Sequence, residues 1–211
     1  MVAFFLLIVY TQCMGARNHH LISRYLDQLK GAIVEIGAGR GEGSTDFFAG
    51  IAAARPEFQY HSVDFDPEAH KIINRYKNHI ANMHAHQLRG EDFLADHLLP
   101  TGEKICWAYL DNFDWNYYEG EPPMYVQRQI ARYQEFGLVM NNANSQQAHL
   151  DQAKLVAAAA AERCVIHFDD TRTWDGVAFD GKGGTAVPWL LSQGWRLLHQ
   201  STSNIACCNF V

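Results

Sequence analysis

Val34-Glu35-Ile36-Gly37-Ala38-Gly39-Arg40-Gly41 joins a short apolar strand to a glycine turn spaced G-x-G-x-G, and Ser44-Thr45-Asp46-Phe47-Phe48 opens a helix just beyond it. Strand, glycine turn and helix N-terminus together make a backbone cradle for a nucleotide-like ligand. Glycine lets the chain turn through positive φ and lets a ligand lie against bare backbone. The dinucleotide fingerprint places its third glycine one residue later and directs a pyrophosphate at the helix N-terminus. Here the third glycine comes early, and Glu35 precedes the first by two residues. A carboxylate there repels a pyrophosphate but can receive the ammonium of an amino acid. The competing reading is an ordinary βα turn that merely needs glycine.

The 211 residues suit one compact α/β domain spanning 1–211, with length enough to bury a sizeable core. A formal net charge of −6 and the lack of any Lys/Arg-rich run argue against a broad nucleic-acid footprint. Five cysteines (Cys13, Cys106, Cys164, Cys207, Cys208) form no C-x-x-C pair, so they read as buried thiols in a reducing, cytoplasmic interior. Residues 2–10 are apolar but lack a basic leader and are too short to span a membrane; a buried strand or packing segment is expected, with no membrane partner.

Outward from the glycine turn, strands and helices alternate. Helical spacing covers residues 18–29, and Gly31 stops it. Strands are predicted at 32–36, 58–64, 84–88, 105–110 and 165–168. Helices are predicted at 44–54, from Asp66-Pro67-Glu68 to about 82, at 91–98, and over a long region at 123–163. Within that region Ser145 reads equally as the N-cap of a helix over 146–162 or as part of an acceptor-binding polar stretch. Residues 195–199 and 205–210, joined by Ser201-Thr202-Ser203-Asn204, read as a hairpin. The expected fold is α/β: a Rossmann-like doubly wound sheet, mostly parallel, closed by a C-terminal antiparallel hairpin, with helices on both faces.

In such a sheet ligands bind beyond the carboxyl ends of the strands, and those ends carry acids here. Asp64 follows the glycine turn at roughly the ~20-residue spacing of a ribose-binding acid, and Phe65 then sits beside the base. The alternative for Asp64, a helix cap, is better filled by Asp66. Asp111, Asp114 and the aromatics Phe113, Trp115, Tyr117 and Tyr118 cluster after the fourth strand. Asp169 and Asp170 follow the fifth.

Residues 32–211 together resemble a class I S-adenosylmethionine (SAM) methyltransferase. The resemblance implies that Gly37, Ala38, Gly39, Gly41 and Ser44 hold the methionine part of SAM and Glu35 its ammonium. It also implies that Asp92 contacts adenine, although capping a short helix is an equal reading. Asp111 would lie between SAM and the acceptor. Asp111, Asp169 and Asp170 resemble the metal-binding acids of the Mg²⁺-dependent O-methyltransferases, and oxygen ligands suit Mg²⁺; turn capping or direct acceptor contact is the other reading. The catechol-type enzymes carry a lysine three residues after the Asp111 position, where this chain has Asp114. The base is therefore expected to be Asp114, His167 or another histidine.

The stretch Gly181-Lys182-Gly183-Gly184-Thr185 reads mainly as a chain reversal, with phosphate binding as the lesser reading. Residues 119–150 form a substrate-side insertion whose Met140-Asn141-Asn142-Ala143-Asn144-Ser145 segment suits a hydroxylated or amide acceptor. The expected chemistry is in-line transfer of the SAM methyl to a hydroxyl, or an amine, of a small molecule, resting on proximity and removal of one proton. A homo-oligomer is allowed. Two rivals stand beside this reading: a nicotinamide-dependent oxidoreductase and a non-catalytic interaction protein on the same fold.

Overall fold

A computed structural model of the chain describes residues 18–211 other than 40, 42 and 119. The apolar segment 2–10 and Cys13 lie outside the described residues, as do Arg40 of the glycine turn and Glu119 at the start of the insertion.

Seven strands form one sheet: β1 (Ala32–Ile36), β2 (Tyr60–Val63), β3 (Met83–His86), β4 (Ile105–Leu110), β5 (Ala160–Asp169), β8 (Arg196–Gln200) and β9 (Asn204–Cys208), in the order β3-β2-β1-β4-β5-β9-β8. The first five pair in parallel, and β9 runs antiparallel to both β5 and β8. β6 (Thr171–Thr173) and β7 (Phe179–Gly181) make a separate small hairpin. The helices are α1 (Ser44–Ala54), α2 (Pro67–Lys77), α3 (Met124–Glu135), α4 (Asn142–Ala159) and α5 (Ala186–Ser192), with a further helical run at 90–101.

Every residue of β1 and β4 is buried, as a central parallel strand covered on both faces requires. Side chains alternate between the two faces. Val34, Ile36, Ala108, Leu110, Ile166 and Phe168 pack with Phe93, Ala153 and Val156. Ile33, Trp107, Tyr109 and Val165 pack with Phe48, Ala52 and Phe58. Full burial of each large apolar side chain is worth roughly 1.5–3 kcal/mol, so these two layers set the fold.

Local reading and tertiary context part company in a few places. Residues 18–29 form two short 3₁₀ segments, Asn18–Arg24 and Leu26–Gln28. The alanine-rich run expected to stay helical through 162 splits: α4 ends at Ala159, and Ala160 pairs with Ile105 of β4. Sheet pairing there outweighs a helix propensity worth only tenths of a kcal/mol per residue. Asn141, not Ser145, caps α4 by accepting the Asn144 amide, while the Ser145 hydroxyl donates to the Phe113 carbonyl. Asp66 caps α2 as expected, accepting the Glu68 amide at 2.8 Å.

The chain leaves β1 to build β2 and β3 on one side and returns as β4 on the other. This reversal of strand order opens a crevice at the carboxyl ends of β1 and β4. Gly37 lies at its floor with φ +95, where a Cβ would stand 2.4 Å from the Asn112 nitrogen. Only glycine lets the two strand ends approach so closely.

Candidate active site

The glycine turn is held from behind. Glu35 has no accessible surface, and its Oε2 accepts hydroxyl protons from Tyr60 at 2.6 Å, Thr45 at 2.9 Å and Ser62 at 2.9 Å. Burial pushes its pKa up, and the surrounding hydroxyls, Ser44 among them, oppose that shift. Glu35 thus ties β1, β2 and the start of α1 together. Its Oε2 is committed to hydroxyls inside the fold, an anchoring role that the ammonium reading did not include. Ala38 and Ser44 are buried beside it; Gly41 is also buried, and its carbonyl accepts the Tyr76 hydroxyl. Gly39 is exposed with φ +53, and an added Cβ there would meet nothing within 4 Å, so this stretch of backbone is open to a ligand.

Asp64 faces the turn from β2. Its Oδ2 accepts the Gly39 amide at 2.9 Å and its Oδ1 the Asp66 amide at 2.8 Å. Burial raises its pKa to about 6, despite those two bonds. Phe65 turns its ring to Tyr133 and Phe136 of the insertion, at 5.5 and 5.2 Å. Phe65 and Phe136, with Gln87, Leu88, Arg89, Gly137 and Leu138, line a cavity of about 350 Å³. The adjoining slot between Gly37, Asp64 and Asn112 offers only about 10 Å³. Asp92 is exposed on the helical run after β3 and does not line the cavity; its neighbour Glu91 is the part-buried acid there, with a pKa raised by burial. The insertion is latched over the cavity by Arg132, which grips Asp66 with Nε–Oδ2 at 2.9 Å and Nη2–Oδ1 at 2.7 Å.

At the ends of β4 and β5, carboxylate oxygens of Asp111, Asp169 and Asp170 lie within 4.8 Å of one another. Lys182 stands among them. Its Nζ donates to Asp111 Oδ1 at 2.7 Å and to the Asp111 carbonyl at 3.1 Å, and it lies 3.2 Å from Asp170 Oδ2. Burial works to lower the Lys182 pKa, but Asp111, Asp170, Asp114 and Asp169 outweigh it and hold the ammonium well above its ordinary value. Lys182 is therefore a fixed positive charge and no base at neutral pH. The divalent ion expected from the resemblance would have to compete with this ammonium, which already engages one carboxylate oxygen each of Asp111 and Asp170.

Asp114 accepts a proton from Gln129 Nε2 at 3.2 Å, and its own amide donates to the Tyr133 hydroxyl at 3.0 Å. Its pKa is raised by burial, with Lys182 opposing. Phe113 (φ +54) and Asp170 (φ +44) are the non-glycine residues at positive φ among the described residues, and both border this cluster. Such backbone strain persists only where surrounding structure enforces it.

His167 corrects the expectation of a catalytic base. It is fully buried on β5, edge-on to Trp107 and Tyr109 at 6.0 and 5.1 Å, on the core face opposite Phe168. The amide-rich segment is likewise structural. Asn142 bridges to the backbone of Asn116, Asn144 bonds the Val139 carbonyl, and Asn141 is a cap. The insertion reaches the acids instead through Gln129 and Tyr133. Sequence reading also passed over Lys182; its one signal was a lone charged residue inside a glycine run downstream of Asp169-Asp170.

No family model and no curated protein sequence matches the chain. Solved structures do match. A Streptococcus mutans protein assigned as a methyltransferase, in complex with SAH, superposes with TM-score 0.53 at 12% identity, covering 92% of this chain and 99% of that one. An rRNA methylase from Streptococcus thermophilus gives 0.52 at 13%, covering 93% and 97%. A precorrin 8w decarboxylase from Methanobacterium thermoautotrophicum gives 0.52 at 10%, covering 94% and 92%. At these identities the likeness is one of architecture: the chain has the mixed, seven-stranded Rossmann-like fold of SAM-dependent methyltransferases.

Proposed function

We propose that this chain transfers a methyl group from SAM to a small-molecule acceptor, a hydroxyl being favoured over an amine. The observation that carries the reading is the open backbone of Gly39 facing the Asp64 carboxylate across the strand-order switch, in a fold shared with an SAH complex. Gly39 and its neighbours would receive the methionine part. Asp64 would exchange its bond to the loop for the ribose hydroxyls, which a carboxylate is built to accept. The cavity beside Phe65, Leu88 and Arg89 suits adenine.

This orientation points the methyl group towards the ends of β4 and β5. Asp114, its carboxyl raised by burial, is the group placed to take the acceptor's proton. The acceptor oxygen then bonds the methyl carbon as the carbon–sulfur bond breaks. The sulfur keeps the electron pair, and the products are SAH and a methyl ether. Lys182 and Asp111 hold the strand end that aligns the acceptor. Tyr117 and Trp174, both exposed, flank Arg172 at 5.5 and 5.2 Å and form the rim of the acceptor side.

A net charge of −6 disfavours RNA as the acceptor. Among the described residues no helix is long and apolar enough to cross a membrane, and the four described cysteines are free, in keeping with a cytoplasmic enzyme. Calorimetry with SAM and SAH tests the donor: micromolar binding of both is expected, and no heat at millimolar ligand overturns the reading. A fluorescence change on mixing with NADH would favour the oxidoreductase instead. Methyl transfer into pooled metabolites identifies the acceptor.

A further inference from the structure

We propose that Lys182 is the resident cation of the acid cluster at the ends of β4 and β5, and that this cluster takes no divalent ion. An ammonium has three protons to donate. That of Lys182 donates to Asp111 Oδ1 at 2.7 Å and to the Asp111 carbonyl at 3.1 Å, and it forms an ion pair with Asp170 Oδ2 at 3.2 Å. Mg²⁺ would need oxygens of the same acids drawn to about 2.0–2.1 Å around a second positive centre. The lysine is also not a loose arm that could swing aside, being 1% exposed.

Its backbone is clamped. The Lys182 amide donates to the Asp170 carbonyl at 3.1 Å, and the Gly183 amide to Thr171 Oγ1 at 2.8 Å. Gly181 pairs with Thr171 across the β6–β7 hairpin, at φ +90, where a Cβ would come within 1.9 Å of the Asp170 carbonyl oxygen. Asp170 is therefore bound twice by one residue, through its carbonyl to the Lys182 amide and through its carboxylate to the ammonium. The glycine run after β7 is thus the device that delivers a lysine from outside β4 into the place where the Mg²⁺-dependent pattern would seat an ion. Lys182 acts as a positioning residue, joining the end of β4 at Asp111 to the end of β5 at Asp170. This holds whichever donor or acceptor the protein uses.

The test is metal binding, with Mn²⁺ as the probe, followed by electron paramagnetic resonance and by thermal melts in MgCl₂ against EDTA. The wild-type chain is expected to bind no Mn²⁺ in the submillimolar range and to melt alike in both media. Lys182→Gln is expected to gain one Mn²⁺ per chain, and adding Asp170→Asn is expected to abolish that gain. Submillimolar Mn²⁺ binding by the wild type, lost in Asp169→Asn, overturns the proposal, as does a melting shift with MgCl₂. A folded Lys182→Gln that binds no ion also overturns it. Should Lys182→Gln fail to fold, the wild-type measurements decide alone, with folding restored by Lys182→Arg supporting the cationic role and no restoration counting against it. SAM calorimetry on the same samples is read separately, so loss of the methyltransferase reading leaves this result standing.

Discussion

The Asp64 carboxylate accepts the Gly39 amide proton at 2.9 Å, so the end of β2 holds the glycine turn at the end of β1. Burial lifts the Asp64 pKa to about 6. A carboxyl raised in the folded state contributes stability that is present below its unfolded value near 3.8 and lost as pH rises through 6. Ribose hydroxyls favour the ionised form. SAM affinity should therefore be flat above pH 7 and fall about tenfold per pH unit below 6. Calorimetry from pH 5 to 8 checks this; a flat profile would remove Asp64 from the site.

Gly37 and Gly39 should respond differently to alanine. At Gly37 a Cβ meets the backbone of Asn112 and Asp111, which cannot yield, so Gly37→Ala should cost several kcal/mol and yield little folded protein. At Gly39 the space is open. Gly39→Ala should fold, with roughly 1 kcal/mol of strain from positive φ, and lose SAM affinity. Denaturant melts and calorimetry separate the two; equal behaviour would contradict the structure.

Glu35→Ala leaves three hydroxyl donors without their acceptor in the core and should cost about 3 kcal/mol, at roughly 1 kcal/mol per bond. Glu35→Gln keeps an acceptor and removes a charge that burial penalises. It should leave SAM affinity near wild type, whereas direct contact with the ligand's ammonium would make it collapse.

Arg132→Ala releases the insertion from Asp66. The pair is part-exposed, so stability should change by less than about 1 kcal/mol. SAM association should accelerate, because Phe136, Gly137 and Leu138 cover the cavity and the slot beside Asp64 is narrow. Stopped-flow binding reads this, and an unchanged rate rejects the latch.

His61, His84 and His86 stack at the sheet edge, with ring centres 4.9 and 5.2 Å from that of His61, and the His61 ring bridges His86 and Glu103. Burial lowers His61 to about 4 and His86 to about 3. A histidine depressed in the folded state contributes stability that is present above 6.5 and lost as pH falls towards the folded value. At pH 5 the loss from His61 alone is about 2 kcal/mol. His86→Phe should flatten the decline of denaturant midpoint between pH 6.5 and 4, and an unaltered slope would place the acid sensitivity elsewhere.

β1 and β4 were legible because a strand covered on both faces must be apolar throughout, and the cap at Asp66 because its chemistry is local. The β6–β7 hairpin was not, since three-residue strands are too short to show alternation. Ala160 read as helix because propensity is local, whereas its pairing with Ile105 of β4 is not.

The sequence by itself determined the sheet, the glycine turn and the row of acids at the strand ends, because strand periodicity and turn chemistry act over a few residues. Tertiary structure decided what those acids face. His167 is a core residue because β5 turns it towards Trp107 and Tyr109. Glu35 is an internal anchor because β2 and α1 bring three hydroxyls to it. Lys182 meets Asp111 across 71 residues because a clamped hairpin carries it there. Charge pairing in a buried site depends on distance in space, which spacing along the chain does not encode.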